Sequence, residues 1–409
     1  MKRTVAAFIC MLCIASCKND SSDLYIDKTD GQNDWGTLSI ESYDDHVKAS
    51  KLFGEIKIIP LETNSESILS SIDRVKVTDE LILVMDRIQN RGLYVFDRNG
   101  MHKYTLADQG GGPGELSHPE DFYINEEKEK IGLFDRVHYK MVYYDIRDGS
   151  FSHEKQANIR AQSFKHSGGD TYLFHYDDIN DQVDADHYLF EYSFESMSSE
   201  SNYLSVSDYR RDFSFMDTHN FNIHGEDTLF YYAYNDTIYQ INDNIPEPKY
   251  YIDLGQNKLD YNSFFRDNDQ STYRDEVSDS DYARNVQNFF KNDSYIHFTY
   301  RYGSDIMTSI FEHGGAENIV FNDLNSDVGT FEFTSYARNT YRDKLIYTTQ
   351  RFDDLVDFID QNKECCIDPE VGLLHLEADQ DFENPNPAII IADTQLSESL
   401  KKEQNPYFW

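Results

Sequence analysis

Cysteine is scarce in this chain, and its placement excludes two common ways of stabilising a fold. Of the 5 cysteines among 409 residues, Cys10, Cys13 and Cys17 fall in or directly after an N-terminal apolar segment. Only Cys365 and Cys366 remain, and adjacent cysteines can form a disulfide only in a strained ring. No Cys-x-x-Cys pair of the kind that ligates zinc is present. The sequence therefore predicts neither a disulfide framework nor a zinc ribbon, and we interpret Cys365 and Cys366 as loop residues without a role.

Motifs of familiar active sites are also missing. The 13 histidines are scattered singly, and there is no His-x-His, His-Glu-x-x-His, Gly-x-Ser-x-Gly or phosphate-binding loop. The 2 tryptophans, Trp35 and Trp409, lie near the chain ends, so the tryptophan boxes of sialidases are absent. The sequence thus identifies no catalytic residue, no metal ligand and no cofactor.

Basic residues are few, and this argues against nucleic acid as a partner. The chain has 74 Asp+Glu against 37 Lys+Arg, a formal net charge of −37, whereas affinity for nucleic acid comes from basic side chains that meet phosphates. The densest run of oxygen ligands extends from Asp177 to Asp186. An EF-hand loop requires glycine at its sixth position and glutamate at its twelfth, and neither is there. A solvated hairpin loop is the preferred interpretation of this run, and calcium binding is the alternative.

The N-terminus has the parts of a lipoprotein signal peptide. Lys2-Arg3 is basic, the apolar stretch from Val5 to Ala15 is too short to span a bilayer, and Ile14-Ala15-Ser16-Cys17 places small residues before a cysteine. We expect removal of residues 1–16, lipidation of Cys17 and a lipidated N-terminus and flexible linker over residues 17–53. An ordinary secretory signal is the alternative. The expected partner is a membrane, reached through the lipid anchor.

Short strands are abundant, and they repeat. The chain has 30 Tyr and 27 Phe, many of which alternate with polar residues as in half-buried strands. The segment from Leu83 to Arg87 resembles that from Gly132 to Arg136, and Asp86 and Asp135 are 49 positions apart. A period near fifty built from short strands is typical of propeller blades.

The stretch between these repeats carries a family resemblance. A turn at Asn99-Gly100, whose residues tolerate positive φ, is followed by Gly110-Gly111-Gly112-Pro113-Gly114-Glu115, and Pro60-Leu61-Glu62-Thr63 comes earlier. These segments resemble NHL-type repeats and, more closely, the six-bladed β-propeller lipoproteins of Bacteroidetes. The resemblance covers about residues 54–150. It implies a location, lipid-anchored at the outer membrane and exposed on the cell surface, with the periplasmic face as the alternative. It implies no activity.

Counting the strands gives six blades. Residues 256–290 are polar, charged and irregular or helical, and without them about 305 residues remain between 54 and 395, enough for six blades of about 50. We therefore predict an all-β, six-bladed β-propeller of four-stranded antiparallel blades over residues 54–395, with an insertion at 256–290 and a C-terminal tail at 396–409. The insertion is interpreted as short helices that cover one face, or alternatively as a lid over the central channel.

Ring closure is a second expectation for this fold. A propeller must protect its edge strands, and two strand-like segments come from opposite ends of the chain, Ile56 to Leu61 and Ala388 to Ala392. We expect these segments to share one blade.

Two sets of residues are candidates for a site. Asp86-Arg87 and Asp135-Arg136 end equivalent strands. They either form a polar ring that contacts a ligand, or the aspartates satisfy turn amides and the arginines pair with them within the blade. The second set is Gly110, Gly112, Pro113 and Gly114. Because no Lys-Ser or Lys-Thr follows, we interpret this set as a structural loop between blades and not as a phosphate cradle.

Two classes of function remain open. The preferred one is a non-catalytic binding or scaffold propeller whose partner is an unidentified glycan, peptide or protein. The alternative is a lyase or hydrolase with its active site in the central channel, because one fold accommodates both binders and enzymes. Convergence of His, Asp or Glu on the axis would distinguish them, and a linear sequence does not show such convergence.

Overall fold

The structure is a computed structural model. It describes residues 36–40, 43–177, 186–211, 213–215, 219–269, 273, 277, 280–313, 318–325, 327, 334, 336–349 and 386–394. These residues form six sheets with antiparallel four-stranded cores, and the predicted six-bladed all-β propeller is confirmed. The expected signal peptide, Cys17, Cys365, Cys366 and the tail at 396–409 lie outside the described residues. Within the described part, no helix is long and apolar enough to cross a membrane.

The first five blades follow one another in the chain, and the sixth combines both ends. The N-terminal part contains β1 (Gly36–Ser39), β2 (Asp44–Lys48), helix α1 (Ala49–Leu52) and β3 (Phe53–Pro60). Blade 1 is β4 (Arg74–Val77), β5 (Leu81–Asp86), β6 (Gly92–Asp97) and β7 (His102–Leu106); blade 2 is β8 (Pro119–Asn125), β9 (Lys130–Asp135), β10 (Lys140–Asp145) and β11 (Phe151–Gln156); blade 3 is β12 (Ser163–Gly168), β13 (Thr171–His175), β14 (His187–Ser193) and β15 (Ser198–Ser205).

A short 3-10 helix (Asp208–Arg210) precedes blade 4, which is β16 (Phe221–His224), β17 (Asp227–Phe230), β18 (Thr237–Asn242) and β19 (Ile245–Asp253). Helix α2 (Tyr261–Asp267) precedes blade 5, which is β20 (Ala283–Lys291), β21 (Tyr295–Tyr302), β22 (Asp305–Glu312) and β23 (Asn318–Asn325). Blade 6 is β24 (Asn339–Tyr341), β25 (Lys344–Thr348), β26 (Ala388–Thr394) and β3.

The core lies between the faces of neighbouring blades. In β5 every residue is buried, which a half-solvated strand would not allow. Ile82 and Val84 belong to one apolar cluster, whereas Leu83 and Met85 belong to another. Because side chains alternate between the two faces of a strand, each face of this sheet packs against apolar side chains. This is why the middle strands of the blades read as continuous apolar runs.

The ring closes as expected from the sequence. Strand β3 pairs antiparallel with β26, with Ile56 opposite Ala392 and Ile59 opposite Ile389. An N-terminal strand thereby becomes the outermost strand of a blade whose other three strands come from the C-terminal part. The closure thus joins the two ends of the propeller in one hydrogen-bonded sheet.

The N-terminal boundary of the propeller differs from the predicted one at residue 54. Strand β1 pairs in parallel with β19 of blade 4, and β2 pairs in parallel with β23 of blade 5. The segment 36–52, expected to belong to the linker, therefore adds a fifth strand to blade 4 and another to blade 5. The chain then continues into β3, which belongs to blade 6. The sequence signal is weak because such outer strands need only one apolar face, here Leu38 and Val47.

The predicted insertion at 256–290 is also too long, because its last residues form β20, the innermost strand of blade 5. Three buried side chains of this strand have the spacing of a helix face, at Val286, Phe289 and Phe290. This spacing results from two irregularities in the pairing of the strand with β21. Asn285 and Asn288 have φ values of 56° and 48° at these irregularities. Each extra residue of a bulge breaks the two-residue alternation, and the resulting spacing resembles helical periodicity.

The described residues in the rest of the insertion lie on one face of the propeller. Asp260 caps α2 by accepting a hydrogen bond from the Ser263 amide at 3.3 Å. Phe265 packs in an aromatic cluster with Phe213 and Tyr234. Phe213 and Phe265 lie in loops that join the outermost strand of one blade to the innermost strand of the next, and Tyr234 lies in the loop between β17 and β18. In an antiparallel four-stranded blade, both kinds of loop lie on the face where the innermost strands begin.

Candidate functional site

A cavity of about 1000 Å³ lies on the axis of the ring. Its wall comes mainly from the innermost strands of the blades, including the segments 74–77, 122–127, 164–167, 219–226 and 339–342. Residues near the starts of these strands are buried, whereas those at their ends, such as Glu126 and Glu226, are exposed. The cavity therefore opens on the face where the innermost strands end. Helix α2 lies on the opposite face, so it does not cover this opening.

Two of the predicted site residues meet at a buried glutamate. The Arg87 Nη1 donates to Glu120 Oε2 at 2.6 Å, and the Arg136 Nε lies 2.8 Å from Glu120 Oε1. The His118 ring is 3.3 Å from the same carboxylate. Arg87 comes from blade 1, and the other three residues belong to blade 2 or the loop leading into it. Both arginines therefore pair with Glu120 instead of with Asp86 and Asp135, Arg87 across the boundary between blades 1 and 2 and Arg136 within blade 2.

The environment of Glu120 favours its charged form. Burial alone would raise the pKa of this carboxyl, but the hydrogen bond from His118 and the charges of Arg87 and Arg136 outweigh it and lower the pKa below the ordinary value. The Glu120 side chain is fully buried and that of Arg87 is 7% exposed. A buried carboxylate in such surroundings destabilises the fold when a partner is removed, because the remaining charge is left without compensation.

A second ionic contact links blades 1, 2 and 3. The Arg74 guanidinium contacts the Asp121 carboxylate, and Asp121 Oδ2 accepts a hydrogen bond from the backbone amide of Phe164 at 3.0 Å. Burial lowers the pKa of Arg74 to about 10, which still leaves it charged at neutral pH. Close by, burial and the charge of Arg74 hold the pKa of His219 well below its usual value. That imidazole is therefore neutral.

Asp86 and Asp135 have equivalent roles away from the cavity wall. Asp86 Oδ2 accepts from the Ser70 amide at 2.8 Å, and its Oδ1 accepts from the Gln89 amide at 3.2 Å. Asp135 likewise accepts from the Ser117 amide at 2.7 Å and from the Val137 amide at 2.9 Å. Each carboxylate ties the loop that enters a blade to the turn after its second strand. These contacts match the turn-amide interpretation of the sequence.

The glycine-rich segment connects β7 of blade 1 to β8 of blade 2. The Gly112 amide donates to Glu115 Oε2 at 2.8 Å, and its carbonyl accepts from Lys140 Nζ at 2.8 Å. Gly114 has φ +76°, and a Cβ there would lie 2.9 Å from the Phe151 ring. Gly110 also has positive φ, at +154°. The backbone groups of this loop thus bind groups of the protein itself.

Metal ligands are not assembled in the part of the chain that the structure describes, since no three His, Cys, Asp or Glu side chains there converge to hold an ion. Most of the acidic run proposed as a calcium alternative, residues 178–185, lies outside the described residues. Of its two ends, Asp177 forms an ion pair with Arg210 at 2.8 Å, and Asp186 contacts Arg211. These two carboxylates are thus already bound by arginines.

Comparison with known proteins agrees with this geometry at the level of the fold. Residues 37–393 match the model of a family described as Domain of unknown function (DUF4934). The chain belongs to this family. No protein with a curated function shows significant sequence similarity to it.

Two solved structures are similar to this DUF4934 chain. One is a putative exported protein from Bacteroides fragilis, with 16% sequence identity, a TM-score of 0.70 and coverage of 88% of this chain and 99% of that chain. Another is a member of the duf4221 family from Bacteroides vulgatus, with 8% identity, a TM-score of 0.49 and coverage of 83% and 97%. At such identities the first likeness shows a shared fold and nothing about activity, and no argument rests on the second.

The cavity of this DUF4934 chain contains residues that the sequence did not single out. Lys76 lies on β4 and Lys165 on β12, and both line the cavity. Neither belongs to a motif, because each is a single polar residue in a short strand. The available signal is their position: once a strand is assigned as the innermost of its blade, a lysine on it becomes a candidate for contact with a ligand.

Proposed function

We propose that this protein is a non-catalytic binding propeller, tethered to the cell envelope, that takes a glycan or peptide into its axial cavity. The cavity itself carries the proposal. It is open at one face, and its wall combines amide, imidazole, tyrosine and lysine side chains. A few convergent polar groups in the main concave site of a protein are the default features of a ligand site.

The polar groups of the cavity favour binding over catalysis. The carboxylates on its wall, Glu126, Glu127, Glu226 and Asp243, all lie at exposed positions. Below them, Asp121 is engaged by Arg74. Of the histidines, His166 stacks on Tyr123 with ring centroids 5.2 Å apart. A lyase or hydrolase needs an acid or base positioned within hydrogen-bond reach of the reacting bond, and these groups are either at the rim or committed to other contacts.

A binding screen tests the proposal directly. Oligosaccharide and peptide arrays probed with the purified protein should give ligands whose binding is abolished by Ile223→Trp, because Ile223 is 50% exposed on the cavity wall. Ile88→Trp is the matched control, since Ile88 is 60% exposed in a turn on the opposite face. Ligands bound equally well by both variants would contradict a cavity site. Chemical conversion of a bound ligand would favour the enzyme alternative.

The location is a separate part of the proposal. The lipoprotein signal ending at Cys17 supports lipid anchoring at the outer membrane, and the similarity to a protein described as exported agrees with a location in the envelope. Wild-type protein should partition with membranes, and Cys17→Ala should release it into the soluble fraction. Equal membrane retention of the variant would contradict the anchor. Protease accessibility on intact cells would distinguish the outer surface from the periplasmic face.

A further inference from the structure

Two half-buried lysines lie on the cavity wall of a protein whose overall charge is strongly negative. Among the described residues, the carboxylates of the wall lie at exposed rim positions, whereas two lysines lie half-buried on the innermost strands. These lysines are Lys76 in blade 1 and Lys165 in blade 3. A chain with twice as many acidic as basic residues, 74 against 37, thus places two lysines on the cavity wall below its acidic rim.

Neither lysine forms a direct ion pair with a described residue. Within the described part of the chain, the ammonium groups of Lys76 and Lys165 form no ion pair or hydrogen bond, in contrast to Arg74, which contacts Asp121. Burial lowers the pKa of both lysines, and the charge of Arg74 lowers that of Lys76 further, whereas the charge of Glu126 partly offsets this by raising it. A half-buried cation without a partner destabilises the free protein. An anion in the cavity would remove this penalty.

The neighbouring amides add hydrogen-bond donors. Asn125 and Asn222 line the same cavity. Each uses its side-chain oxygen to accept a backbone N–H, from Lys128 at 3.0 Å and from Lys291 at 3.0 Å. This leaves their NH₂ groups as donors, because an amide side chain offers both kinds of group. The wall is therefore rich in donors that suit negatively charged or hydroxyl oxygens.

We propose that the cavity binds an acidic oligosaccharide, whose carboxylate or sulfate groups are held by Lys76 and Lys165. This inference rests on the proposed binding function and specifies the ligand. A peptide is disfavoured because peptides commonly bind by adding a strand to a long sheet edge. Three of the innermost strands that face this cavity have four residues or fewer, Arg74–Val77, Phe221–His224 and Asn339–Tyr341, and the longest, Ala283–Lys291, is interrupted by two irregularities.

The test uses isothermal titration with trigalacturonate, its fully methyl-esterified and therefore neutral form, a sulfated chondroitin disaccharide, and triglutamate. Lys76→Met and Lys165→Met remove a charge and keep most of the side-chain length. Lys103→Met is the matched control, because Lys103 is exposed on β7, the outermost strand of blade 1. Each cavity variant should bind the acidic sugar at least about tenfold more weakly, since a contact to a charged group typically contributes that much.

Lys76→Arg should retain binding, and Lys103→Met should match the wild type. The carboxylate and sulfate sugars identify which anion is preferred, and binding of either one supports the inference. It is overturned if the methyl ester binds as tightly as the acid, if triglutamate binds better than every sugar, or if no sugar binds. The broader binding proposal fails separately, if Ile223→Trp leaves binding of the acidic sugar intact.

Discussion

Removing the charge of Glu120 should destabilise the propeller strongly, because this residue joins blades 1 and 2. In Glu120→Gln, Arg87 Nη1 and Arg136 Nε lose the carboxylate that lies 2.6 and 2.8 Å from them. Breaking a buried ion pair typically destabilises a protein by about 3–5 kcal/mol. Because the Arg136 side chain is 28% exposed and water can partly replace its contact, we expect the lower end, about 3 kcal/mol.

Urea unfolding would measure this change. We expect a lower midpoint with an unchanged dependence of the unfolding free energy on urea, because the surface exposed on unfolding stays the same. Glu127→Gln is the control, since Glu127 is exposed at the cavity rim. Replacing Arg87, Glu120 and Arg136 together by methionine should recover part of the loss, because no uncompensated charge then remains. A Glu120→Gln midpoint equal to that of Glu127→Gln would refute the reasoning.

The pH dependence of the same site gives a second measurement. The pKa of Glu120 is lowered in the folded protein, relative to about 4.3 for an exposed glutamate. The folded state therefore binds fewer protons than the unfolded state in this range. The stability from this carboxylate is present above about pH 4.3 and is lost as the pH falls through the lowered pKa. Glu120→Gln should remove this part of the acid sensitivity.

Three further predictions concern other parts of the ring. His297 is fully buried, its Nε2 accepts from the Ala337 amide at 3.2 Å, and burial lowers its pKa from 6.5 to about 4. The melting temperature should therefore fall as the pH falls from 6.5 towards 4. His297→Gln should make the melting temperature less dependent on pH in this range, and an unchanged dependence would contradict the prediction. Deleting residues 386–409 removes β26, the strand that pairs with β3, so calorimetry should show no cooperative unfolding transition. A truncated chain with the wild-type transition would be evidence that this pairing does not close the ring. Gly114→Val should lower the melting temperature more than Gly112→Val, because only Gly114 of the two has positive φ; equal shifts would count against backbone strain as the cause.

Local sequence patterns predicted the fold class because propeller blades repeat their chemistry. Asp86 and Asp135 bind equivalent amides in blades 1 and 2, so the same residue recurs at the loop-to-turn contact of these two blades and reveals the period. Closure could also be predicted, since an apolar segment at each end of the chain leaves an edge that only pairing can protect. These features depend on residues near in sequence or on a requirement that every closed ring shares.

Strands with irregular or one-sided packing could not be assigned in this way. Strand β20 contains two irregularities that hide its alternation, and β1 and β2 add to blades whose other strands lie far along the chain. Their apolar residues become meaningful only beside β19 and β23. Lipidation of Cys17 stays a prediction from the N-terminal pattern, because that residue lies outside the described part.

The candidate site was decided by tertiary structure. The sequence determined that Arg87 and Arg136 hold equivalent positions in two blades, but only the ring brings both to Glu120, which is 33 positions from Arg87. It likewise determined that lysines occur in two short strands, while their meeting at one cavity depends on the innermost strands of blades 1 and 3 facing a common axis. The physical reason is that repeats fix contacts within a blade, whereas the contents of the axis depend on how all the blades are arranged around it.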